Sequence, residues 1–107
     1  MRIRKVENFV RLLLDSNTSK SQARALLETA NPHQVLAISE IALNLVENQI
    51  PLSSHLRSHI KKNLTLFKKL SRKTVSERAR YSVVRKQWKL IWNTLLLFKK
   101  ILLQALE

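Results

Sequence analysis

The chain has no glycine, no cysteine and only two prolines among its 107 residues. Without glycine there is no glycine-rich phosphate loop and no nucleophile elbow, because both need a residue that turns sharply at positive φ. Tight hairpin turns lose their usual residues as well, which argues against a multi-stranded β fold. Without cysteine there is no disulfide framework, no thiolate nucleophile and no cysteine-based zinc site. Acidic residues are scarce, one Asp and six Glu spread along the sequence. No two of them form a convincing acid–base pair in an apolar setting, so the sequence reads as non-enzymatic and as needing no cofactor. Long apolar runs are missing too. Val6 to Leu14 is interrupted by Glu7, Asn8 and Arg11, unlike a secretory signal. Leu90 to Phe98 ends at Lys99 and Lys100, well short of the ~20 residues that cross a bilayer. The expected location is intracellular.

What is present is positive charge on an ordinary apolar background. Twenty Lys and Arg face seven acids, giving +13 and an isoelectric point near 11.1. The apolar fraction of 45% is that of a folding chain rather than a basic disordered tail. The charge is unevenly placed. Residues 16–50 carry Lys20 and Arg24 against Glu28, Glu40 and Glu47, whereas residues 51–107 carry fourteen basic groups against Glu77 and Glu107. Such an excess calls for a polyanionic partner.

Apolar periodicity predicts helices throughout. Val6, Phe9, Val10, Leu13 and Leu14 make the stripe of a first helix over 3–14. A second covers about 20–29 with Ala23, Leu26 and Leu27. Asn31 and Pro32 are suited to the cap and first position of a third, which runs to just before Ile50-Pro51. Ser53 caps a fourth, with Leu56, Ile60, Leu64, Phe67 and Leu70 on one side. Ser76, with Glu77 just inside, starts a fifth that either continues to the C-terminus or breaks once near Gln87. The expected fold is all-α: a small helical bundle over 1–50, a long basic helical arm over 51–87, and an apolar amphipathic helix over 88–107.

The basic segment is the strongest functional signal. Arg57, Lys61, Lys62, Lys68, Lys69, Arg72, Lys73, Arg78, Arg80, Arg85, Lys86 and Lys89 face Glu77 alone. A solvated helix face ordinarily mixes signs, because like charges one turn apart repel. Backbone phosphates supply the missing compensation. Eight to ten such contacts would give a log–log salt slope of about −7 to −9. The aromatics Phe67, Tyr81, Trp88, Trp92 and Phe98 stand mostly at core spacing and do not suggest a base-stacking platform. A helix-turn-helix over the second and third helices would offer a recognition helix without one Lys or Arg between Pro32 and Val46, a poor reader of the major groove. His55 and His59 stand one turn apart, but His33 is the only other histidine and lies on another helix, so no metal site is expected. In the last segment Trp88, Ile91, Trp92, Leu95, Phe98 and Leu102 form a wide apolar stripe. It must dock on the first helices, pair with another copy, or lie in a membrane interface. Docking together with self-association is the favoured reading. The alternative is a membrane-active or protein-interaction protein that sets the basic segment on anionic lipid and the C-terminal helix at the interface, with an anionic membrane or a capsid protein as partner.

The run from Ala25 to Gln87 resembles the small basic X-like proteins of adintoviruses and related Maverick-type DNA viruses, themselves loosely similar to the adenovirus core protein X, or mu. The matching elements are Glu40-Ile41-Ala42-Leu43-Asn44-Leu45, then Ile50-Pro51-Leu52-Ser53, then a Lys/Leu helix, then Lys73-Thr74-Val75-Ser76 before a basic stretch. The family's glycine before Ile-Pro-Leu is replaced here by Glu47-Asn48-Gln49, and its glycine-containing junction by Arg85-Lys86-Gln87-Trp88. The resemblance implies a protein of the virion and the host nucleus that packs or anchors double-stranded DNA.

Overall fold

A computed structural model describes residues 6–47, 53–72 and 75–106. The expected start of the first helix at Ile3, the Ile50-Pro51 element and Lys73 lie outside the described residues. Those described form eight helices: α1 (Glu7–Leu14), α2 (Lys20–Glu28), α3 (Pro32–Val46), α4 (Ser54–Lys62), α5 (Leu64–Ser71), α6 (Glu77–Lys86), α7 (Trp88–Leu97) and α8 (Lys99–Ala105). The all-α class is as expected.

The caps explain where several helices begin. Ser19 and Gln22 form a reciprocal capping box at α2, with bonds of 3.1 and 2.8 Å. Asn31 and Gln34 form another at α3, both bonds 2.9 Å, with Pro32 in the first turn. Each box satisfies two backbone N–H groups that a helix start otherwise leaves open. Ser53 accepts from the Leu56 N–H and Ser76 from the Ala79 N–H, as their positions in the sequence predict.

The expected fourth helix is divided, and the fifth takes its expected break at Gln87 and one more besides. The fourth breaks at Asn63, where φ is −113° and ψ 22°, and the Asn63 side chain donates to the His59 carbonyl at 3.0 Å. An asparagine amide competes in this way with the backbone ladder. The last segment breaks at Gln87 and again at Phe98. The Phe98 N–H is shared between the Thr94 and Leu95 carbonyls while its ring is buried. Buried residues flank each break, Ile60 and Phe67, Val84 and Ile91, Leu95 and Leu102, so the apolar stripe stays in the core on both sides.

That core is one continuous cluster. Phe9, Leu13, Leu27, Ile38, Ile41, Leu45, Phe67, Leu70, Val84, Ile91, Leu95, Phe98 and Leu102 all belong to it. The central helix is α3, which buries Val35, Ala37, Ile38, Ser39, Ile41, Ala42 and Leu45 and packs most extensively on α5. Across the molecule α7 lies on α1 and α2, and α6 touches α2, α3 and α5. The Trp92 indole N–H donates to the Leu13 carbonyl at 2.9 Å, tying α7 to the end of α1. The basic segment therefore does not project as an arm. Ile60, Phe67, Leu70 and Val84 carry it into the shared core, and the described residues fill a body of 31 × 30 × 23 Å.

Candidate nucleic-acid interface

Amphipathic helices that bury one face must show the other, and α4 to α7 show lysine and arginine. Arg57, Lys61, Lys62, Lys68, Lys69, Arg72, Arg78, Arg85, Lys86 and Lys89 are exposed. None of them is in an ion pair among the described residues, where the salt bridges Arg11–Glu7 at 3.2 Å and Arg24–Glu28 at 2.5 Å belong to α1 and α2.

Five of these cations line two adjoining depressions. A groove of about 450 Å³ runs between the α4–α5 corner and the α6–α7 corner, with Lys62, Lys69 and Lys86 on its walls. A broader depression of about 820 Å³ lies along α6 and includes Arg78, Arg85 and Lys86, with Glu77 as its one carboxylate. Ser82 and Lys86 line both, so the two depressions adjoin. Sequence spacing placed Lys62 and Lys69 on one helix and Lys86 on the next; the packing of α5 against α6 brings all three to one groove.

Arg80 has a different place. It is half-buried, and its guanidinium donates to the Arg72 carbonyl at 2.6 Å, holding the C-terminal end of α5 against α6. Its Nε is buried with no partner among the described residues. A cation at a helix C-terminus is favourably placed with respect to the peptide dipoles, so Arg80 serves the fold.

Lys20, from the near-neutral half, joins the basic surface. The like charge of Lys89 close by, with some desolvation, holds its ammonium below the usual lysine value. Beside it Arg24 stands over the Trp88 ring, 5.8 Å from the centroid. Only the packing of α2 on α7 creates this cluster; nothing in the local sequence announces it.

The aromatic side chains are engaged within the protein. Phe67 and Phe98 are buried, Trp92 bonds to Leu13, and Arg85 covers Tyr81 at 5.5 Å. Burial raises the Tyr81 hydroxyl above its usual value, with Glu77 adding to the shift and Arg85 opposing it. Of the wide stripe in the last segment, Ile91, Leu95, Phe98 and Leu102 are in the core, and Trp88 and Trp92 are half-buried against it. Among the described residues the large apolar side chains left exposed are Leu12 at 50% and Leu97 at 43%. No helix among the described residues is long and apolar enough to cross a membrane.

His55 is exposed, while His59 is half-buried with Nε2 2.9 Å from the Thr94 hydroxyl. That hydroxyl donates to the Leu90 carbonyl at 2.8 Å, so His59 Nε2–H is the donor to Thr94. Desolvation, then His55 and Lys62, lowers the His59 pKa. No group of three or more His, Cys, Asp or Glu suited to a metal ion occurs among the described residues. The second helix of the helix-turn-helix arrangement considered above is α3, whose central position in the core keeps it from entering a DNA groove. Comparison with family models, curated proteins and solved structures finds no match for the chain.

Proposed function

We propose that the protein binds nucleic acid, double-stranded DNA foremost, through its backbone phosphates, catalysing nothing and reading no sequence, and that it condenses or anchors DNA in a virus particle. The observation that carries the first part is the adjoining pair of depressions, where Lys62, Lys69, Arg78, Arg85 and Lys86 face one carboxylate. Unpaired like charges held on a folded surface are relieved by a polyanion that releases its condensed counterions. Tyr81, the aromatic that lines the larger depression, lies under the Arg85 guanidinium, which favours backbone contact over base stacking. The viral setting rests on the resemblance over residues 25–87.

The test is a mobility-shift titration with two duplexes of unrelated sequence, run beside flotation with neutral and anionic vesicles. Similar affinity for both duplexes is expected. Failure to bind either duplex, or binding to anionic vesicles alone, would overturn the reading in favour of a lipid surface.

A further inference from the structure

The groove between the two corners has features that a merely basic surface lacks. Its three ammonium groups come from three helices, Lys62 at the end of α4, Lys69 on α5 and Lys86 at the end of α6. They line one concavity with no carboxylate among its described residues. The corners put the C-terminal end of α4 beside the N-terminal end of α5, and likewise α6 beside α7. The opposed peptide dipoles largely cancel there, so the helices do not neutralise the lysines. Thr65 and Ser82 add hydroxyls with no hydrogen-bond partner among the described residues. Leu66, Val83 and Leu90 provide an apolar floor.

We propose that this groove is a seat for a short run of linked phosphate groups, the chemistry shared by a nucleic-acid backbone and inorganic polyphosphate. This rests on the nucleic-acid reading above and sharpens it: the backbone is held first here, and the remaining cations add charge around it. A singly charged anion answers one ammonium at a time, whereas linked phosphates answer all three and accept from the hydroxyls between them. The apolar floor suits the carbon edges of a sugar rather than a second layer of water.

The experiment compares two triple variants of equal charge. One is Lys62→Gln, Lys69→Gln, Lys86→Gln in the groove; the other is Lys61→Gln, Lys68→Gln, Lys89→Gln outside it. Glutamine is a good helix former, so both keep their helices, as circular dichroism will check. The probes are inorganic tripolyphosphate, a 20-base-pair duplex and hexaglutamate. Tripolyphosphate raises the melting temperature of the wild-type protein and of the outer triple, but not of the groove triple. The groove triple weakens duplex binding at least tenfold more than the outer triple does. Equal losses from the two triples, with the duplex still bound by the wild-type protein, would remove the groove and leave the nucleic-acid reading standing. Tripolyphosphate held in the groove with no duplex bound would do the reverse. Hexaglutamate binding as tightly as tripolyphosphate would overturn the phosphate assignment in favour of an acidic peptide. A groove triple that fails to fold is replaced by the single variants Lys62→Gln, Lys69→Gln and Lys86→Gln, each expected to weaken tripolyphosphate more than Lys61→Gln does.

Discussion

The third and fifth helices are packed against each other and differ almost completely on their outer sides. In α3, covering 32–46, Val35, Ile38, Ile41, Ala42 and Leu45 are buried, and no lysine or arginine is present. In α5, covering 64–71, Phe67 and Leu70 enter the same core while Lys68 and Lys69 stay in water. The difference between the near-neutral and the basic half is thus a difference of surface. Both halves build one core, and only one of them has a strongly charged exterior. A basic segment need not be an extended arm to collect charge; a short amphipathic helix with a two-residue apolar stripe does so while remaining folded.

Several variants would break or sharpen that comparison. The largest effect is expected from truncation after Lys86, which removes Ile91, Leu95, Phe98 and Leu102 from the shared core. If the halves are one cooperative unit, the remainder loses its sharp thermal transition; a truncated protein that melts as before would show two independent units. Leu102→Ala is a milder form of the same test. Full burial at that position predicts a loss of about 2–5 kcal/mol in denaturant unfolding. Replacing Lys61, Lys62, Lys68 and Lys69 by Ala, all on the exposed side of α4 and α5, weakens duplex binding by about tenfold or more. Helicity should hold or rise, since alanine is the better helix former. On the neutral side, Asn31→Ala removes the α3 capping box and costs about 1 kcal/mol of stability without changing DNA affinity.

The smallest effect concerns pH. His59 is held below its ordinary value in the folded protein, first by desolvation and then by His55 and Lys62. The unfolded chain therefore takes up a proton on His59 at a higher pH than the native state does. The stabilisation from the neutral imidazole is complete above about pH 6.5 and declines as pH falls toward the lower native value. A His59→Gln variant, which keeps a donor for Thr94, should show a shallower decline in melting temperature between neutral and mildly acidic pH. An identical decline in both proteins would remove His59 as its source.

The sequence was informative where the cause of structure is local. Asn31-Pro32, Ser53 and Ser76 mark helix starts by the hydrogen bonds they offer, and the stripes from Val6 to Leu14 and from Leu56 to Leu70 identify the buried faces. The break at Asn63 was hidden because the apolar spacing continues across it. The inward turn of Arg80 was hidden for a similar reason, since its partner is a backbone carbonyl on another helix. The cations of the candidate interface could be read from sequence one by one. Which of them share a concavity, and that Lys20 meets Lys89, depends on contacts between distant segments. The expectation of eight to ten simultaneous phosphate contacts treated the basic segment as a single strip, and folding distributes its cations over four helices.

The most direct test of the central claim is the dependence of duplex affinity on salt. Five cations around the adjoining depressions predict a slope of log K against log salt near −4.5. That slope should be the same for duplexes of unrelated sequence. A slope shallower than about −3, or strong discrimination between those duplexes, would contradict an interface built on backbone phosphates.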